Sequence, residues 1–258
     1  VVVFILLFCF GLMSRAQQKA MYTQYMFNNL AINPAYAAVN EAFSINAISR
    51  HQWVGFAGAP NTQTVSFHTP IKESNTFIGA ILIRDQIGEV LTETGGYFTL
   101  TQRVPIGEDS YLAAGINGGI SSVQANYSNN YSQSPNSGND PTFKDERKFR
   151  SNFGLGVMVF SDKYYVGLSS PQFYSRDYYR DLSDLATTAT TYRPSYMLQA
   201  GYLLDINDNL KLKPNFLIKY VNGSPAQYDL NANLLIKETL WLGASYRSSE
   251  SFAALASI

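Results

Sequence analysis

Cysteine and histidine are the scarcest chemically active residues of this chain. The 258-residue sequence contains one Cys, at position 9, and two His, at positions 51 and 68. Cys9 lies in an apolar run at the start of the chain, so a chain without that run has neither disulfides nor thiol chemistry. Two isolated histidines favour structural roles over a metal centre. We therefore predict no metal site and no cofactor.

Charge is also scarce, and it is balanced. Asp, Glu, Lys and Arg make up 15% of the residues and the formal net charge is +0, whereas soluble domains average about 25% charged residues. No stretch is dominated by Lys and Arg, which argues against a nucleic-acid partner. Aromatic residues reach 14%, with 18 Tyr beside 18 Gly. This composition fits a β-barrel with aromatic girdles at the membrane interfaces.

Catalytic motifs are missing as well. No nucleophile elbow, P-loop or dinucleotide-binding glycine pattern occurs between a strand and a helix. The carboxylates that could form an acid/base pair lie in or near turns and loops, where solvation explains them: Asp85, Glu89, Glu93, Asp181 and Asp184. We therefore predict no catalytic residues and no enzyme.

The first residues have the pattern of an export signal. Val1 to Leu12 is an apolar run, and a small-residue cleavage site ending at Ala16 follows it. About twelve apolar residues are too few to span a bilayer as a helix. We expect residues 1–16 to be a cleaved signal peptide, 17–42 a periplasmic, plug-like segment, and 43–258 a β-barrel.

The clearest strand pattern runs from Leu210 to Arg247. Apolar residues alternate with polar ones in three stretches, separated by turns at 222–225 and 237–239. Period two is typical of strands with one apolar and one polar face. Strands of about ten residues cross a bilayer when tilted, and the charged face suits a hydrated barrel lumen.

The whole chain predicts an all-β, up-and-down antiparallel transmembrane β-barrel of about twelve strands. Two polar stretches, Ala125–Arg150 and Pro171–Pro194, are predicted to be long extracellular loops. In the strand between 110 and 123, we expect alternate small residues to face the barrel interior. The last strand ends without an evident closing partner, so we expect further strands after Ile258, about fourteen in the complete protein.

An aromatic stretch in the second loop is a candidate contact surface. Tyr and Arg are the residues that protein interfaces favour. The predicted partner contacts are Tyr174, Arg176, Tyr178, Tyr179 and Arg180. An ordinary interfacial aromatic belt is the alternative.

The segment from Tyr22 to Pro70 carries more specific motifs. They read QYMFN at 24–28, NPAYA at 33–37, RHQWVG at 50–55 and AP at 59–60. This pattern resembles the PorP/SprF family of type IX secretion system membrane proteins from Bacteroidetes-type bacteria. The motif residues that we carry over as candidate contact or architectural positions are Tyr25, Asn33, Pro34, Tyr36, Trp53, Gly55 and Pro60.

The resemblance implies an integral outer-membrane barrel that is not an enzyme. Such proteins work with the secretion and gliding-motility machinery, and some hold a secreted adhesin at the cell surface through its C-terminal domain. The implied partners are a secreted cargo or adhesin, other outer-membrane and periplasmic components, and outer-membrane lipid. The alternative is a passive channel for small solutes, with Lys211, Lys213, Lys219, Asp229, Asn231 and Lys237 lining a wet lumen.

Overall fold

The protein is an antiparallel sheet preceded by a short helical segment. The computed structural model describes residues 28–127, 145–179, 189–191, 193–248 and 251–257, with side chains at all of them except 177–179 and 189–191. Two 3₁₀ helices, Asn29–Ala31 and Pro34–Ala38, come first. The strands follow: β1 (Ser44–His51), β2 (Asn61–Pro70), β3 (Thr76–Ile87), β4 (Leu91–Pro105), β5 (Tyr111–Ala125), β6 (Glu146–Phe160), β7 (Tyr164–Tyr179), β8 (Ala189–Thr191), β9 (Ser195–Tyr202), β10 (Leu204–Asn207), β11 (Leu210–Val221), β12 (Gln227–Ile236), β13 (Leu240–Arg247) and β14 (Ser251–Ser257).

The strands pair in the order of the chain. A meander of twelve antiparallel strands runs from β1 to β14, while β8 and β10 pair at its side with β7 and β11. Among the described strands, no ladder joins β14 to β1. The predicted all-β, up-and-down antiparallel fold of about twelve strands is confirmed. No helix in the described ranges is long and apolar enough to cross a membrane.

The sheet curls around residues 28–39, which we call the lumenal segment. Its second helix contacts β2, β3, β4, β5, β6 and β7, and Ile32 packs against Met197 of β9 and Leu217 of β11. Laid flat, the six strands that contact this helix would span about 24 Å, whereas a five-residue 3₁₀ helix is about 10 Å long. The sheet must therefore be strongly curved, with the lumenal segment on its concave face.

Alternation along the strands separates this concave face from the outer face. In β5, Ala113, Asn117 and Ser121 are buried, while Leu112, Ile116 and Ile120 are exposed. In β11, the predicted polar face is the buried one, with Asn215 and Lys219 inside, and Ile218 and Tyr220 are exposed. Both facing predictions are confirmed.

The outer face carries a row of aromatic side chains. Cross-strand register places Phe67, Phe98, Phe153 and Tyr174 in one row, with the small residues Ala80 and Gly118 between them. All four aromatic side chains are exposed. Exposed aromatic rows are typical of strands at a membrane–water interface.

The connections alternate between the two ends of the sheet, and the three longest of them share one end. One end, the long-loop end, has connections at 52–60, 88–90, 126–145, 180–194, 222–226 and 248–250. The other, the short-turn end, has connections at 71–75, 106–110, 161–163, 203–209 and 237–239. In barrels of the outer membrane, the long loops lie on the extracellular side.

Each of the two predicted long loops, Ala125–Arg150 and Pro171–Pro194, has one boundary that the prediction placed wrongly. The stretch 146–150 belongs to β6, and the stretch 171–179 belongs to β7. These strands have 15 and 16 residues, more than the roughly ten that cross a bilayer. Their length lets the two strands continue past the depth of the bilayer, which explains why their ends have the polar composition of loops.

Candidate functional site

Asn33 and Pro34 attach the lumenal segment to the wall. The Asn33 Oδ1 atom accepts a hydrogen bond from the Ala35 nitrogen at 2.9 Å and so caps the second helix. Its Nδ2 atom donates to the Val157 carbonyl oxygen of β6 at 3.1 Å. Pro34 occupies the first helical position, where its missing N–H is tolerated. The pair therefore starts the helix and fixes it to β6.

Hydroxyl groups of three other strands bind the same segment. Buried backbone carbonyls need partners, and here the wall supplies them. The Thr101 Oγ1 atom donates to the Pro34 carbonyl at 2.7 Å, and the Ser169 Oγ atom donates to the Ile32 carbonyl at 2.8 Å. The Ser66 Oγ atom donates to Asn28 Oδ1 at 2.9 Å. Together with Asn33, these bonds connect the segment to β2, β4, β6 and β7.

Three wall glycines leave the space that the segment occupies. A Cβ atom built at Gly115 would lie 2.6 Å from the Ala35 nitrogen, and one at Gly167 would lie 2.7 Å from Asn33 Nδ2. A Cβ atom at Gly156 would collide with Asn33 Oδ1. Glycine in a strand often marks such a close backbone approach. The glycines of β5, β6 and β7 therefore make the inner face of the wall complementary to the lumenal segment.

Apolar side chains fill the gaps near the short-turn end. Leu30, Ala35 and Ala37 cluster with wall residues close to the ends of β3, β5 and β6: Phe77, Ile81, Ala113, Met158 and Phe160. The Tyr36 ring meets the His68 ring edge-on at 5.9 Å. Burial raises the pKa of the Tyr36 phenol, which hydrogen bonds with Asn29. The segment is therefore packed into the half of the sheet nearest the short turns.

Arg103 fixes the point where the chain leaves the lumen. Its guanidinium pairs with Glu41 at 2.7 Å. The same group lies over the Phe77 ring at 5.2 Å and over the Tyr111 ring at 4.4 Å. A guanidinium stacked on two rings loses few further degrees of freedom on pairing. This contact holds the connection between the lumenal segment and β1 against the short-turn rim.

Charged pairs line the wall beyond the segment. Glu93 accepts hydrogen bonds from Arg150 at 3.1 Å and from Ser121 at 2.8 Å. On the opposite part of the sheet, Asp229 is 1% exposed and binds Arg247 through two hydrogen bonds of 2.9 and 2.7 Å. Buried charges require such partners. These charged side chains of the inner face are therefore held in bonded pairs.

The first set of predicted positions is divided between the two ends. Asn33, Pro34 and Tyr36 lie together in the lumenal segment. Trp53, Gly55 and Pro60 lie in the β1–β2 connection at the long-loop end, where the Trp53 side chain is 72% exposed. Trp53 and Gly55 both have positive φ, 47° and 100°. Tyr25 lies outside the described residues. The described residues of the motif therefore lie at two separate places in the structure.

The second set lies on or beside β7. Tyr174 is an exposed outer-face residue in the aromatic row, and Arg176 is half-buried. Tyr178 and Tyr179 are strand residues whose side chains lie outside the described set, as does the whole of Arg180. Among the described residues, no three His, Cys, Asp or Glu side chains converge as metal ligands.

The residues that sequence reasoning missed are Gly156, Gly167, Ser169 and Arg103. Gly154 and Gly156 share one face of β6, two positions apart, and Gly115 and Gly119 share one face of β5, four positions apart. Glycines repeated on one face of a strand are a signal for close approach. The hydroxyl and guanidinium contacts have no local sequence signal, because Ser169 and Ile32 are 137 positions apart.

Fold and site together define a class of protein. It is a curved antiparallel meander with an apolar, aromatic outer face, a polar inner face and its own N-terminal segment inside, which is the pattern of a membrane β-barrel protein. The chain belongs to the PorP/SprF family of type IX secretion system membrane proteins, whose family model matches residues 14–258. The resemblance seen in the motifs is thereby confirmed.

Solved structures similar to this chain include a channel. The CymD monoaromatic hydrocarbon channel shares 11% sequence identity, and the match covers 84% of this chain and 78% of that chain with a TM-score of 0.38. Its name describes that protein, and nothing about a substrate of this chain follows from it. No protein of curated function matches this chain significantly.

Proposed function

We propose that this chain is a non-enzymatic outer-membrane barrel of the type IX machinery that anchors a secreted surface protein or helps to export it. The observation that carries the proposal is the lumenal segment, which is hydrogen bonded to four strands and packed against the wall. A lumen occupied in this way favours partner contacts at the rims over passage through the middle.

The two rims offer different contacts. At the long-loop end, the connection 52–60 exposes Trp53, Val54 and Phe56, at 72%, 86% and 78%. Large exposed aromatic side chains are typical of protein contact sites. The secreted partner is proposed to bind at this end, beside the connections 126–145 and 180–194. The short-turn end, with Glu41 and Arg103, would meet periplasmic components of the machinery.

The test combines recovery of a partner with surface display. A tagged chain is solubilised from membranes in mild detergent, and co-purified proteins are identified. We expect a large secreted protein to co-purify and its surface display to fail in a deletion strain. Recovery of the barrel alone, with normal display in the deletion strain, would contradict the proposal. A variant with Trp53, Val54 and Phe56 changed to Ser serves as the contact-deficient control.

A passive channel for small solutes is the second candidate, because the inner face is polar. Lys219, Asp229 and Asn231 face the interior, as that hypothesis requires. Lys211 instead pairs with Glu238 at 3.2 Å beside the short-turn rim, and Lys237 lies in a turn. Conductance across a planar bilayer separates this candidate from the first.

A further inference from the structure

A polar pocket opens on the outer face of the sheet near the long-loop end. It has a volume of about 210 Å³ and is lined by Asn61 and Gln63 of β2 and by Arg84 and Gln86 of β3. The alternating residues Thr62 and Asp85 face the interior, where the Thr62 hydroxyl donates to Asp85 at 2.6 Å. The pocket therefore faces away from the lumen.

The pocket begins where the apolar outer wall ends. Gln63 pairs with Arg84 across the two strands, and the next outward pair toward the short-turn end is Val65 with Leu82. Val65 and Leu82 are 40% and 60% exposed. Beyond them lies Phe67 of the aromatic row. In a membrane, the step from exposed apolar to charged residues marks the depth of the lipid head groups.

The lining groups lack partners of their own. Arg84 makes no salt bridge or side-chain hydrogen bond to any residue that the structure describes, and a guanidinium has five donors suited to phosphate. The Asn61 Oδ1 atom is buried and accepts no hydrogen bond from the described part of the chain. An unpaired buried acceptor is costly. The pocket therefore suits a ligand with both phosphate oxygens and hydroxyl donors.

Arg147, another outward arginine at the same end, is different. The Arg147 Nε atom donates to the Ser122 hydroxyl at 3.2 Å, and its guanidinium lies over the Phe149 ring at 5.3 Å. Arg147 therefore has a hydrogen-bond partner and a ring contact within the protein, whereas Arg84 has no side-chain partner among the described residues and lines the pocket. This difference makes Arg147 a matched control.

We infer that this pocket binds the phosphorylated sugar head group of an outer-leaflet glycolipid. The Arg84 guanidinium binds a phosphate, and the side-chain amides of Asn61, Gln63 and Gln86, which line the pocket, bind the sugar hydroxyls. The acyl chains lie against Val65 and Leu82 below. This inference rests on the proposed placement in an outer membrane.

The experiment counts bound lipid. The full chain is reconstituted into phosphatidylcholine vesicles with and without diphosphorylated lipid A, then extracted and examined by native mass spectrometry. We expect wild type to retain one lipid A molecule. Arg84→Gln should weaken this binding about tenfold or more, the effect of losing one charge-assisted contact, and Arg147→Gln should leave it unchanged. A second variant, Asn61→Leu, should also weaken it.

Each outcome decides a separate point. Equal lipid A retention by wild type and Arg84→Gln overturns the inference, and so does an equal loss in Arg147→Gln. Displacement of lipid A by inorganic phosphate at equal concentration also overturns it, because the lipid would then contribute nothing. Failure of wild type to insert into either vesicle contradicts the membrane placement itself, whereas insertion without selective retention contradicts only the pocket.

Discussion

Replacing Gly115 by Ala tests the contact between the lumenal segment and the wall. The added Cβ atom would lie 2.6 Å from both the Ala35 nitrogen and the Pro34 carbonyl carbon. Carbon contacts are favourable at about 3.5–4.0 Å, so the backbone of the segment must retreat by about 1 Å. Hydrogen bonds from Thr101 and Asn33 hold that backbone in place. The added methyl group therefore collides with backbone atoms that are held by hydrogen bonds, and not with a flexible side chain that could move away.

The magnitude follows from the cost of overpacking. Such contacts cost about 1–3 kcal/mol, which lowers the ratio of docked to undocked segment by about 5- to 150-fold. The wall itself should persist, because β5 is paired along its whole length with β4 and β6. We expect the lumenal segment to undock more often while the strand pairing of the sheet stays intact.

Hydrogen exchange measured by mass spectrometry reads the two parts separately. Peptides covering 28–39 should exchange faster in Gly115→Ala, while peptides covering 111–125 should change little. Gly118→Ala is the matched control, since its Cβ atom would point outward and lie 3.9 Å from the nearest atom, the Asn152 oxygen. If residues 28–39 exchange as slowly in Gly115→Ala as they do in wild type and in Gly118→Ala, the proposed docking is refuted.

Three further changes have expected effects. Asn33→Ala should destabilise the docked segment by about 2 kcal/mol, because it loses a helix cap and a hydrogen bond to Val157, and faster exchange of residues 28–39 would show this. Arg247→Gln should lower the free energy of unfolding in detergent by about 3 kcal/mol, because it leaves Asp229 buried without its bidentate partner. Trp53→Ala should preserve thermal stability but weaken partner recovery, because the side chain is exposed.

Controls and contradicting results differ among these three. Asn33→Asp keeps the oxygen that caps the helix but loses the amide that donates to Val157. Exchange of residues 28–39 in this variant should therefore be faster than in wild type and slower than in Asn33→Ala. Equal exchange rates in all three proteins would contradict the role of Asn33. Lys72→Gln breaks an exposed pair with Glu73 and should leave the free energy of unfolding unchanged. If Arg247→Gln lowers that free energy no more than Lys72→Gln does, the buried pair with Asp229 does not stabilise the fold. Undiminished partner recovery by Trp53→Ala would exclude that contact.

The strands were predictable because their signal is local. Alternation alone predicted β11, β12 and β13, and it also predicted which face of β5 is small. Alternation also predicted which side chains face the interior, because the polar face of strands that cross a membrane must point away from lipid. The facing of Lys219 and Asn215 follows from period two without any knowledge of their partners.

The far end of β7 was not predictable in this way. Pro171 has no N–H for a ladder and argues against a strand. In the structure, the β7–β9 register shifts between Ser169 and Gln172, so Pro171 falls in an irregularity where no ladder bond is needed. The strand then continues to Tyr179. A local break in pairing looks the same in sequence as the start of a loop.

The docking of the lumenal segment was also beyond local reasoning. Asn33-Pro34 by itself favours an extended segment and a turn, whereas the structure has a short 3₁₀ helix there. Its contacts with Val157, Gly156 and Gly167 join positions more than a hundred residues apart. Residues 28–39 have no clear period of two or 3.6, because neighbours surround them on several sides. Only the curvature of the sheet brings those neighbours together.

Conductance across a planar bilayer shows whether the interior is occupied, as partner contacts at the rims alone would require. We expect the inserted wild-type chain to give no steady ohmic current, and Gly115→Ala to give openings that Gly118→Ala does not. A stable open pore from wild type, unchanged in Gly115→Ala, would mean that the segment does not close the interior and would favour the passive channel.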